Sequence, residues 1–138
     1  MIYTSAKVTI KNNTASIDNK ILLYRGDKNI EIQIEIVDAI YKQYKQENDN
    51  VIYNMGASYA QLFVKKPDGT FVTGDIIKTK NDKIIFVMPE EMINDKSEIG
   101  NYSFQIRLFD ETKASYVTIP PVIDGIVVQE SFMEGAGN

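Results

Sequence analysis

Apolar and polar residues alternate strictly through NIEIQIEIVD (residues 29–38). Ile30, Ile32, Ile34 and Ile36 fall on one side, and Glu31, Gln33 and Glu35 on the other. A helix would scatter those isoleucines around its axis, so the pattern predicts a strand with one buried and one wet face. The same period of two recurs along the chain. MIYTSAKVTI places Ile2, Ala6, Val8 and Ile10 together, and ASYAQLFVKK sets Ala60, Leu62 and Val64 against Tyr59, Gln61 and Phe63. KIIFVM (residues 83–88) is a short apolar strand ended by Pro89. GNYSFQIRLFD sets Tyr102, Phe104, Ile106 and Leu108 opposite Ser103, Gln105 and Arg107. SYVTIPPVIDGIVVQE reads as a strand broken by Pro120-Pro121 and resumed to Val128. Proline cannot donate to a ladder, so the break belongs at a sheet edge or where the strand changes partner.

Polar reversals separate these runs. Lys66-Pro67-Asp68-Gly69 fits a type I turn with Pro in second place and Gly in the left-handed conformation that closes a hairpin. Asn81-Asp82 and Asp110-Glu111-Thr112 are further turns. Helical candidates are short: AIYKQYKQ (residues 39–46) and PEEMI (residues 89–93), where Pro89 can begin a single turn with Glu90 and Glu91 near its N-terminus. About seven short strands with turns between them predict an all-β fold, an immunoglobulin-like antiparallel β-sandwich with one or two short helical turns. Gly100-Asn101-Tyr102 leads into an alternating strand at the place where such domains put a corner tyrosine whose hydroxyl ties back to the preceding loop. Phe104 then stands where an antibody domain has its second cysteine. The expected boundaries are a single domain over residues 1–130 and a flexible tail over residues 131–138 ending in EGAGN.

Composition narrows the chemistry. The chain has 138 residues with ordinary hydrophobic and charged fractions, which suits one domain with a real core. Net charge is −4 and Arg occurs only at Arg25 and Arg107, an unpromising surface for nucleic acid. No apolar run approaches the roughly 20 residues that span a bilayer, so no membrane partner is expected. The start, MIYTSAKVTIK, lacks the pattern of a signal peptide. The absence of Cys and His removes disulfides, thiolate nucleophiles, histidine triads and the usual zinc sites. No catalytic, cofactor-binding or metal-binding residue is expected. Glu90, Glu91, Asp95 and Glu98 gather in one loop, but a glycosidase needs two carboxylates facing each other across a cleft. QENDN (residues 46–50) lacks the ligand spacing of a calcium loop.

Three further features have a bland and a functional meaning. Arg25-Gly26-Asp27 spells the tripeptide that integrins read, yet roughly two chains in a hundred of this length contain it by chance. Its place between Ile21-Leu22-Leu23-Tyr24 and the Ile30–Ile36 strand predicts a turn, with Asp27 bonded to nearby amides. Tyr41, Tyr44, Tyr53, Tyr59 and Phe109 are either rims of the sandwich or exposed rings able to stack on sugars or protein partners. Asn12-Asn13-Thr14 and Asn101-Tyr102-Ser103 match the glycosylation acceptor, which carries little meaning without a secretion signal.

Taken in order, Leu23-Tyr24-Arg25-Gly26-Asp27-Lys28, the alternating strand, Val64-Lys65-Lys66-Pro67-Asp68-Gly69-Thr70, Met88-Pro89-Glu90-Glu91, Gly100 to Ile106 and Thr118-Ile119-Pro120-Pro121 form a series. Over Leu22 to Val128 it resembles the N-terminal domain of the phage baseplate upper proteins (BppU family) from viruses of Gram-positive bacteria. That resemblance implies an immunoglobulin-like connector without chemistry of its own, assembled in many copies, that attaches a fibre or receptor-binding module to a tail baseplate. Two departures stand out. The chain stops soon after the domain, which shifts the expectation from fibre carrier to stand-alone virion subunit. It also carries AIYKQYKQENDNVIYNMG (residues 39–56) where a tighter link is expected.

The expected function is a non-enzymatic virion protein in the baseplate, tail, neck or capsid decoration, made in the host cytoplasm. Its partners are expected to be other phage structural proteins or further copies of itself, docking through an edge after Pro121 (Ile126, Val127, Val128) and through Phe132 and Met133. The alternative is a module that binds host cell-wall carbohydrate.

Overall fold

A computed structural model describes residues 2–11, 13–27, 30–38, 57–79, 84–89 and 97–132. Ten strands lie in these segments: β1 (Ile2–Lys11), β2 (Thr14–Ile17), β3 (Ile21–Tyr24), β4 (Ile30–Asp38), β5 (Tyr59–Lys65), β6 (Phe71–Lys78), β7 (Ile84–Val87), β8 (Gly100–Phe109), β9 (Tyr116–Thr118) and β10 (Val122–Gln129). They pair along one path, β6-β5-β8-β10-β2-β1-β4-β7, with β3 added to β10 and β9 to β8. The sheet curls until its two ends, β6 and β7, approach each other without pairing. The result is nearly all β and close to a barrel.

The predicted faces are the observed ones. Ile32, Ile34 and Ile36 are buried, while Glu31, Gln33 and Glu35 keep partial access to solvent. On β5, Ala60, Leu62 and Val64 point inward, and on β8 Tyr102, Phe104, Ile106 and Leu108 do the same. Register follows from these faces. β1 runs parallel to β4 with Ala6 beside Ile34 and Val8 beside Ile36. β5 runs antiparallel to β8 with Leu62 beside Ile106 and Val64 beside Phe104. A one-residue slip would turn Gln33 or Arg107 into the core, so burial fixes the pairing.

The expected purely antiparallel, seven-strand sandwich gives way here to a mixed sheet. Three pairings are parallel: β1 with β4, and β10 with both β2 and β3. Alternation tells which face of a strand is buried but not which strand lies beside it, and that is where the expectation departed. The helical candidates at residues 39–46 and beyond Pro89, the loop with Asn81-Asp82, and residues 133–138 lie outside the described residues.

Candidate interaction surface

The turns of the sequence signature are held by their own side chains. At Arg25-Gly26-Asp27, the Asp27 carboxylate accepts from the Tyr24 amide at 3.0 Å, and the Asp27 amide donates to the Tyr24 carbonyl at 3.1 Å. Gly26 holds φ 97°, a conformation that disfavours any side chain. The Arg25 amide donates to Gln129 O at 2.8 Å, tying the turn to the end of β10. The Arg25 guanidinium reaches the Ser97 carbonyl at 3.4 Å. The tripeptide is therefore built into the fold as a bonded turn.

In the second turn the Gly69 amide donates to Lys66 O at 2.9 Å and the Lys66 amide to Thr70 O at 2.8 Å. Asp68 accepts from the Thr70 hydroxyl at 2.6 Å and its amide at 2.9 Å. Those two hydrogen bonds, the hydroxyl foremost, hold its carboxyl below the ordinary 3.8. Pro67 packs on Gly100, whose φ of 143° and closeness to the proline ring leave no easy place for a side chain. Two pieces of the signature, far apart in sequence, thus touch. Two residues on, Tyr102 is fully buried and its hydroxyl donates to the Glu98 carbonyl, the backward tie expected of a corner tyrosine. Burial, then the charges of Glu98 and Asp68, push its phenol above the usual 10.0.

The Pro120-Pro121 break marks a change of partner. Among the described strands β9 pairs with β8 alone, through Arg107–Thr118 and Phe109–Tyr116. After the prolines, β10 continues along β8 and gains β2 and β3 on its other side. The edge expected after Pro121 is therefore an interior strand. Ile126 and Val128 lie in the core and Val127 is half-buried, so flanking strands already occupy what an edge would offer. Phe132 is 97% exposed, and Met133 lies outside the described residues.

Of the carboxylate loop, Glu98 is exposed and offers its backbone carbonyl to Tyr102; Glu90, Glu91 and Asp95 lie outside the described residues. The same holds for residues 46–50 and for Tyr41, Tyr44 and Tyr53. Phe109 is buried, while Tyr59 is half-buried beneath the Lys113 ammonium, 4.2 Å from its ring centroid.

The outward face of β6, β5, β8 and β9 is the surface that sequence reasoning missed. Arg107 lies between two rings, its guanidinium carbon 5.3 Å from the Phe63 centroid and 4.5 Å from that of Tyr116. Its Nε donates to the Thr118 hydroxyl at 3.2 Å. Phe71 is 69% and Tyr116 59% exposed, with Ile76 also open to solvent. Beside this face runs a groove of about 470 Å³ lined by Phe63, Phe71, Asn101, Gln105, Ile123 and Asp124 among others. The signal was present in the outward positions Tyr59, Phe63 and Arg107, but only the pairing of β5, β8 and β9 brings them side by side. Among the described residues no group of three acidic side chains is placed to hold a metal ion, and no helix is long and apolar enough to cross a membrane.

No protein-family model and no curated protein matches the chain. Among solved structures it is similar to the N-terminal domain of ORF48 from phage TP901-1, with a TM-score of 0.60 at 10% sequence identity, over 94% of this chain and 100% of that one. A likeness at that identity carries the fold. The class is thus a nearly all-β domain that shares its fold with that phage domain.

Proposed function

We propose that this chain is a non-enzymatic structural subunit of a bacteriophage particle, a connector or decoration protein of the baseplate or tail that works by packing against other virion proteins. The observation that supports it is the fold likeness to a phage domain along almost the whole chain. The outward face of β6, β5, β8 and β9 agrees with this reading. Exposed Phe, Tyr and a stacked Arg are the residue types that interface cores favour. The immunoglobulin-like connector role, like placement at the neck or capsid surface, belongs to this same proposal. Gold-labelled antibody against the protein should decorate purified particles at one place, and mass spectrometry of the particles should find the chain. Particles free of it would end the proposal.

A second reading has one observation in its favour. The groove beside Phe71 combines rings with an amide, a hydroxyl and a carboxylate, from Phe63, Gln105, Ser103 and Asp124, a chemistry that also suits sugars. Specific glycan-array binding by the monomer, lost in Phe71→Ala, would establish a host-surface module instead of a pure scaffold.

A further inference from the structure

Arg107 carries an unused capacity. Its plane is fixed by Phe63 and Tyr116 and its Nε is satisfied by Thr118. Among the described residues its Nη nitrogens find no hydrogen-bond acceptor. A guanidinium held flat with its outer nitrogens open is pre-organised for a carboxylate, because little rotamer freedom is left to lose on pairing. Its surroundings reinforce that preference. β5, β8 and β9 contain no carboxylate although the chain carries net charge −4, while Lys65 and Lys78 are exposed on β5 and β6. Lys113 lies over Tyr59 at the same end of the face, in a turn that also carries the exposed Glu111 and Asp110, the latter's carboxylate taken up by the Thr112 hydroxyl and the Ser115 amide. The acid of β6, Asp75, sits at the register shift between β5 and β6.

The opposite wall of the sheet has the complementary character. Glu31 and Glu35 occupy outward positions of β4, and Asp18 joins Glu35 around a shallow depression of about 240 Å³ that also contains Lys7 and Gln33. Among the described residues two carboxylates and one ammonium line that depression, Glu31 adds a third carboxylate four residues back along β4, and Val87, beside Glu31 in register, is exposed. Ile32, Ile34 and Ile36 of β4 share one core with Leu62 and Ile106, so the acidic and the cationic faces point away from each other.

We propose that these two faces meet between copies: the cationic, aromatic face of one chain, anchored by Arg107, docks on the Glu31–Glu35 face of a second copy. The inference rests on the reading of this protein as a packing subunit and names the partner as the chain itself. The contact joins unlike surfaces, so it is heterologous and builds a ring or a continuing stack instead of a closed two-fold pair. Charge complementarity selects the second copy over an unrelated acidic protein because the matching surface is present on every molecule at equal concentration.

Sedimentation of the purified chain across a concentration series tests this. The expected result is association that continues beyond the dimer and weakens as salt rises. Arg107→Glu and the double variant Glu31→Lys/Glu35→Lys should each weaken it by about 30-fold or more. The neutral variants Arg107→Ala and Glu31→Gln/Glu35→Gln, mixed in equal amounts, should form a 1:1 dimer and stop, since each retains one working face and the two disabled faces carry no charge to attract each other. A chain that stays monomeric throughout overturns the contact, as does association untouched by Arg107→Glu or a mixture that remains monomeric. Should Arg107→Glu fail to fold by circular dichroism, the double variant on the other face reads the same contact. A monomer that is nonetheless found in purified particles would sink this contact alone, whereas absence from particles would sink the virion reading itself.

Discussion

Asp27 and Tyr102 show how much a single side chain decides in this protein. Asp27 satisfies the Tyr24 amide and so closes the turn that starts β4. Replacing it with Ala leaves that amide without its partner, and we expect a loss of about 1 kcal/mol in a denaturant titration. Cell attachment should be unchanged by the same substitution; integrin-dependent adhesion that disappears while the fold persists would restore the adhesive meaning of the tripeptide. Tyr102→Phe removes the tie to the Glu98 carbonyl and should also cost about 1 kcal/mol. It has a pH signature as well. The folded phenol titrates above 10.0, so the native state holds its proton more tightly than the unfolded chain does. Its contribution is fully present below that pH and is lost as pH rises through the folded value. Alkaline unfolding curves should therefore flatten in Tyr102→Phe relative to the parent. Both residues were legible in the sequence, because a turn residue and a corner tyrosine act on backbone only a few positions away.

At the scale of elements, β10 is the strand on which sequence and structure differ most. Its alternation is interrupted between Val122 and Ile126, where the register against β8 shifts. Asp124 adopts φ 53° there and donates its amide to the Ser103 hydroxyl at 2.9 Å. At Gly125 an added Cβ would sit 2.7 Å from the Phe104 ring and from Val122. Gly125→Ala should destabilise the fold by about 1–3 kcal/mol through overpacking, read as a lower Tm. The hairpin between β5 and β6 makes a different prediction. Because Asp68 titrates below 3.8 when folded, its contribution is present above that pH and fades as pH falls through the lowered value. Asp68→Asn should flatten the acid limb of the stability profile. Long, strictly alternating strands such as β4, β5 and β8 were readable from period alone. β2 was not, since Thr14–Ile17 is four residues with no fully buried side chain. Nor was β6, whose pattern breaks at Gly74 and Asp75.

The whole molecule is organised by pairings that periodicity cannot reveal. Among the described residues β8 and β10 are bordered on both sides, while β6 and β7 each pair on one side only. Amide exchange should accordingly be slowest in β8 and β10 and fastest in β6, β7 and β9; uniform protection across these strands would contradict the topology. The Arg107 face was illegible for the same reason: Phe63, Arg107 and Tyr116 come from three strands, and their adjacency is a property of the sheet. That topology also has a temporal meaning. β10, the last of the described strands along the chain, lies between β8 and the β2–β1 pair near the middle of the path. On the ribosome, the two halves of the sheet must wait for it with their apolar faces uncovered. Folding is then a late, all-at-once event that follows emergence of Gln129, and the nascent chain up to Thr118 is a natural client for chaperones.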